Sequence, residues 1–255
     1  MALTFRTVVA RALVAGLVAG LLVGVYQVVA VEPVIADAVA LEGDLAGADH
    51  DGHDHTHVDD ERFTRSEQVS GGVVGSAIYA LVLAAVFGTV LAATRHRLPG
   101  RNDLQRSAWL AAVGFVAVAL VPALVLPANP PAVGDADSVD QRTFQYLALI
   151  TVGLVLVRAL TGLAGVLHGR LDEPTRTLVV AESSLAAFGV LVALYPATSV
   201  DVAAEVPATL LWEFRTRSLG GLALLWAGLG LGVGWLLGRG ASQAVPAQAQ
   251  PVPAS

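Results

Sequence analysis

Six apolar stretches, each about 18 to 24 residues long, recur along the 255-residue chain: 8–31, 71–94, 108–126, 144–167, 178–195 and 219–237. At about 1.5 Å of rise per residue, each is long enough as a helix to cross a hydrocarbon core of roughly 30 Å. Lipid offers no water to satisfy backbone donors and acceptors, so a spanning segment must be a helix or part of a closed barrel. The alternation of a barrel strand is missing from all six. The sequence therefore predicts an all-α polytopic membrane protein, a bundle of about six transmembrane helices with a His/Asp-rich outer loop. A composition of 55% hydrophobic and 14% charged residues excludes an ordinary soluble enzyme.

Arg6 and Arg11 ahead of the first stretch also fit a secretory signal. The apolar core is long for a signal, however, and Val31-Glu32-Pro33 is a poor cleavage site, so the first helix is expected to be retained. With the N-terminus inside, Arg6, Arg11, Arg95, Arg97, Arg101, Arg106, Arg170, Arg176 and Arg239 are cytoplasmic, against Arg62, Arg65, Arg142, Arg215 and Arg217 outside. This asymmetry places both termini in the cytoplasm. All but four of the 21 acidic residues then fall in the three outer loops, 32–70, 127–142 and 196–218. The outer face attracts cations. The connections 95–107 and 168–177 are short and basic and close hairpins, and the Ala, Gln and Pro-rich tail 240–255 is expected to be disordered.

All 15 basic residues are arginines, cysteine is absent, and the sole methionine is Met1. Disulfides, thiolate metal sites, thioether copper relays and cysteine nucleophiles are thereby excluded. A phosphate loop of the G-x-x-x-x-G-K-[ST] kind cannot exist without lysine, so ATP hydrolysis would have to come from another polypeptide. His96 and His168 lie in connections rather than spans, and no span holds paired aspartates, which disfavours an intramembrane protease. No enzyme is expected, no cofactor is expected to be permanently bound, and nothing points to nucleic acid.

The densest local chemistry is DHDGHDHTHVDDE at 49–61. His50, His53, His55 and His57 are four of the six histidines in the chain, interleaved with Asp49, Asp51 and Asp54. Neutral imidazole is the commonest metal ligand, and the carboxylates raise local cation concentration and add oxygen donors. In an extended segment His53, His55 and His57 share one side, so two or three can converge on one ion. The alternative is an acidic low-complexity linker. A nitrogen and oxygen site without fixed geometry follows the Irving–Williams order, and so serves capture rather than selection.

Two ionisable residues fall within spans, Arg158 in the fourth and Glu182 in the fifth. A charge at the bilayer centre costs about 2.5 to 3.5 kcal/mol on the insertion scale. Both should therefore face the bundle interior, pair with each other or snorkel to an interface. Counted from the apolar boundaries, Glu182 lies about one turn and Arg158 about two and a half turns from the shared hairpin, a gap an arginine can bridge. Glu182 would alternatively offer a carboxylate on an ion path. Pro122, inside the third span, frees a carbonyl one turn earlier, and Pro127, Pro130 and Pro131 stiffen the exit beside Asn129, Asp135, Asp137 and Asp140. Those oxygens suit a hard or borderline cation, although PANPP also reads as a plain helix stop.

The stretches FTRSEQVSGGVVGSAIYALVLAAVFG from Phe63, GFVAVALVPALVLPANPPAVGDADSVDQRT from Gly114 and VPATLLWEFRTRSLG from Val206 resemble CbtA, the family of predicted cobalt transporter subunits. The resemblance runs from the first helix to the last, and PANPPAVGD and LLWEFR are its most specific parts. It implies a permease taking up Co²⁺ for cobalamin synthesis, with a small single-helix partner, CbtB. The expected route is capture by the histidine loop, hand-over to a rim built around Asn129, Asp135 and Glu213, and passage through the bundle past Glu182. Import of Ni²⁺ or Zn²⁺ shares this physical reading. A non-transporting metal-sensing or assembly scaffold is the other class, and the sequence leaves a homo-oligomer open.

Overall fold

Backbone hydrogen bonding in the computed structural model is helical almost throughout, as lipid requires. The structure describes residues 4–48, 64–131, 133–134, 138–196, 202 and 205–242. In chain order the helices are α1 (Phe5–Tyr26), α2 (Glu32–Ala48), α3 (Arg65–Thr94), α4 (Asp103–Phe115), α5 (Val121–Val125), α6 (Val139–Leu167), α7 (Glu173–Leu194) and α8 (Ala208–Ser242). A π-helical turn, Gln27–Val31, joins α1 to α2, and another, Val116–Leu120, joins α4 to α5. The result is six apolar helices long enough to span a membrane.

Several helices run well past the apolar stretches that announce them. Pro33 does not end the first one: the π turn absorbs the misfit, with Glu32 donating its backbone N–H to the carbonyl of Gln27, and the chain continues helically to Ala48. Pro122 is accommodated in the same way, Val121 donating to Val116. Each proline stands one residue after the residue that closes the π turn. The two carbonyls nearest Pro122's missing donor are met from α6. Tyr146 donates its hydroxyl to the Val118 carbonyl at 3.3 Å. A Cβ added to Gly153 would stand 2.9 Å from the Ala117 oxygen, so only glycine permits that approach.

Contacts group the chain into two compact units, the first comprising Met1–Val23, Val74–Ala112 and Leu224–Ser255, the second Gly24–Val73 and Val113–Ala223. The first is cored by Ala19, Val23, Ala80, Ala84, Leu225 and Leu229. Lipid tails are as apolar as leucine, so helices associate here through close packing and small residues rather than hydrophobic transfer. Gly88 of α3 shows the fit: a Cβ there would come within 2.6 Å of the Ala12 Cβ and 3.2 Å of the Val9 Cα on α1. Phe87 meets Trp226 edge to face with centroids 6.4 Å apart, and Arg239 lies 4.0 Å over the Trp235 ring.

In the second unit α6 and α7 form an antiparallel hairpin closed through Gly169, whose φ of +79° favours glycine. Asp172 caps α7 by accepting from the Thr175 N–H at 3.2 Å, and Pro174 occupies the first turn. Hydrogen bonds from the Thr175 side chain and backbone hold the Asp172 carboxyl below the ordinary carboxylate value. At the far end Tyr195 donates to the Gln145 carbonyl at 3.1 Å, and Gln145 to that of Pro196 at 3.0 Å. No described residue of α7 is buried. Helix α8 continues to Ser242, past the expected start of the tail at Gly240, and residues 243–255 lie outside the described residues.

Gly88→Leu is expected to lower stability by about 1 to 3 kcal/mol through overpacking, seen as an earlier thermal melt of the detergent-solubilised protein. Gly75→Leu, where an added Cβ meets nothing within 4 Å, should leave the melt unchanged.

Candidate functional site

The exit from α5 is the segment PANPP, and its carbonyl groups are held by arginines. Leu126 leaves the helix with φ −124° and ψ 73°, after which proline rings deny the backbone its own donors. Arg142, one turn into α6, donates from Nη2 to the Pro127 carbonyl at 3.1 Å. Arg215 of α8 donates from Nε to the Ala128 carbonyl at 3.2 Å and from Nη2 to the Asn129 Oδ1 at 3.0 Å. Three successive residues are thus fixed by two guanidinium groups. The planar fork of arginine suits this double contact in a way lysine would not.

Helix α8 makes a second attachment two residues further on. Arg217 pairs with Glu213 at 2.6 Å, donates to the Ala30 carbonyl in the π turn at 2.8 Å, and offers its own carbonyl to the Tyr26 hydroxyl at 3.0 Å. An added Cβ on Gly220 would stand 2.7 Å from that hydroxyl, so the small residue makes room for the tyrosine. Glu32, at the start of α2, forms an ion pair with Arg65 at the start of α3.

Two cavities open around these groups. One of about 380 Å³ is bordered by Gln27, Glu32, Arg65, Gln68, Phe214 and Ser218. The other, of about 840 Å³, is bordered by Glu42, Asn129, Ser138, Arg142, Thr143 and Tyr146. Both have polar side chains over apolar walls, and each holds one acidic residue and one arginine among its lining. Each lining thus sets one carboxylate against one guanidinium.

Of the residues expected from the sequence, Asn129 and Glu213 lie in this rim, each already engaged by an arginine. Glu213 pairs with Arg217 and not with Arg215, because a helix brings the fourth residue along to the same face. His50, His53, His55, His57, Asp49, Asp51, Asp54 and Asp135 lie outside the described residues. Among the described residues no group of three or more His, Asp or Glu is placed to hold a metal. The Arg158–Glu182 pair does not form: the described ion pairs are Arg65–Glu32, Arg106–Asp103 and Arg217–Glu213. Both side chains are instead exposed, Arg158 lying along α6 beside Gly162. Glu182 stands on the helix with no buried residue, so the structure does not place it along an interior path. Sequence reasoning gave Arg217 only a topological role, yet its spacing of four from Glu213 was the available signal.

The family profile described as "Probable cobalt transporter subunit (CbtA)" matches residues 5–238. The chain belongs to the CbtA family. The match runs from the first residue of α1 to within a few residues of the end of α8, and so includes every element of the rim. No curated protein and no solved structure matches it. A CbtA chain is a transporter subunit rather than an enzyme, and six apolar helices make this one a multi-pass membrane protein.

Arg215→Ala removes two charge-assisted hydrogen bonds to Ala128 and Asn129 and is expected to cost about 1 to 3 kcal/mol. Faster amide hydrogen exchange at Ala128 and Asn129 should accompany the lower melting temperature, and Arg215→Lys should recover less than half of the loss.

Proposed function

We propose that this CbtA-family chain is the membrane permease subunit of a divalent transition metal importer, with Co²⁺ as its substrate and cobalamin synthesis as its outlet. Arginine asymmetry supports an orientation with both termini in the cytoplasm and the arginine-braced rim outside. The loop around His50, His53, His55 and His57, with Asp49, Asp51 and Asp54, raises the local metal concentration. From there the ion passes to carboxylates at the rim, Asp135 and Glu213, and to Glu32 beside the smaller cavity. The observation that carries this reading is the family match across residues 5–238. Support for the rim as the point of admission comes from the cavities it borders, each lined by a carboxylate.

A permease with no nucleotide-binding loop takes its driving force from elsewhere, and a small single-helix subunit of the CbtB type is the expected companion. Exposed ion pairs contribute only about 0 to 1 kcal/mol, so a divalent ion can compete with Arg217 for Glu213. Arg217 would keep its bond to the Ala30 carbonyl while the carboxylate turned to the metal. That separates the structural role of the arginine from the transient role of the acid.

Uptake of radiolabelled Co²⁺ in cells lacking other cobalt importers tests the proposal, with the companion subunit co-expressed. Deleting 49–61 should raise the cobalt concentration for half-maximal uptake several-fold while sparing the maximal rate, and Glu213→Gln should lower the maximal rate. Excess Ni²⁺ or Zn²⁺ that competes as well as unlabelled Co²⁺ would reassign the substrate. No uptake by correctly inserted wild type with its companion overturns the permease reading in favour of a metal-sensing or assembly scaffold.

A further inference from the structure

The α6–α7 hairpin carries two charges within its apolar stretches. Arg158 stands nine residues before the end of α6 and Glu182 nine residues after the start of α7. Both Cα atoms therefore lie about 13.5 Å from the hairpin, at one common height along it. The earlier start of α7, set by the Asp172 cap and Pro174, is what brings them level. Each residue is exposed, and neither is matched by the other within the chain.

The surroundings of both charges are open as well. Leu178, Glu182, Leu185 and Gly189 follow one another at helical spacing along one face of α7. Leu178 is 62% and Leu185 79% exposed, and a Cβ added to Gly189 would meet nothing within 4 Å. On α6, Val155 and Val166 flank Arg158 and are likewise exposed. A stripe of apolar and small residues is an ordinary lipid-facing surface; an acid and a base set into that stripe are not.

We infer that the exposed face of the α6–α7 hairpin docks a second copy of this chain, with Arg158 of each copy paired to Glu182 of the other. A two-fold axis along the membrane normal preserves depth, so residues that are level in one copy meet level partners in the next. One cation and one anion at the same depth form a self-complementary pattern, and two copies close it with no charge left over. Lipid alone leaves both charges uncovered. The inference requires only that the chain spans a membrane and is independent of which metal it moves.

The chain contains no cysteine, so Leu185→Cys supplies a single thiol for cross-linking by a short bis-maleimide in native membranes. A cross-linked dimer is expected for Leu185→Cys and not for Val82→Cys, which is 62% exposed on α3. Adding Arg158→Glu or Glu182→Arg should reduce the dimer at least five-fold, and combining both reversals should restore it. Wild type in polymer-extracted membrane discs should photobleach in two steps, a readout that needs no variant to fold. Single-step bleaching, equal cross-linking at Val82, insensitivity to the single reversals, or capture of a smaller membrane protein in place of a second copy would each overturn the proposal.

Discussion

A carbonyl that loses its helical donor inside a membrane has no water to turn to, and two prolines within this bundle create that problem. Both are handled by widening the helix by one residue just ahead of the proline, at Gln27–Val31 and Val116–Leu120. The widened turns present backbone oxygens sideways, where side chains of other helices reach them. Tyr146 takes the carbonyl of Val118, four residues before Pro122, and Arg217 reaches that of Ala30 within the other turn. An interior proline costs about 3 kcal/mol in an uncompensated helix, and the Tyr146 contact offsets part of that penalty. The two contacts also fix where α6 and α8 touch their neighbours, and the rim is assembled from those same two helices.

The arginines of the rim have a double consequence. Arg142 and Arg215 hold PANPP by its oxygens, which removes the readiest use for carbonyls freed beside an acidic mouth, that of ligating a bare cation. In the proposed import route the oxygens left to an incoming ion would belong to carboxylates such as Glu32 and Glu213, whose guanidinium partners sit at the surface and are cheaply exchanged. On that reading the rim keeps its shape from neutral acceptors and would draw its cation affinity from charged ones. Mutations in the two groups should therefore separate stability from transport.

The bundle was legible because a run of about 20 apolar residues has few ways to be satisfied in lipid. Helix lengths were less so. An apolar window ends where charge begins, but α2, with its acids, and the first turns of α8, with Glu213 and two arginines, stay helical beyond that point. Pro33 reads as a stop unless a π turn is foreseen, and no local composition announces one. The pairing of Arg215 with Asn129 joins residues 86 positions apart, a separation that pattern and propensity do not bridge. The Glu213–Arg217 pair, by contrast, is written in a spacing of four. The histidine loop, the most suggestive chemistry in the sequence, lies outside the described residues and keeps the standing its composition gives it.

Two lengths govern an intramembrane charge: depth in lipid, counted from the apolar boundary, and height along the hairpin, counted from the helix ends. Counted from Leu178, Glu182 lies four residues, about 6 Å, inside the apolar stretch. Counted from Glu173, behind the Asp172 cap, it stands nine residues along α7, at the height of Arg158 on α6. The polar first turn of α7 makes that difference of five residues, about 7.5 Å. A glutamate side chain is shorter than an arginine side chain, and that of Arg158 gains reach by lying past Gly162. The acid is therefore the more constrained member of the two, and neutralising it should disturb the membrane-embedded surface of α7 more than shortening the arginine does.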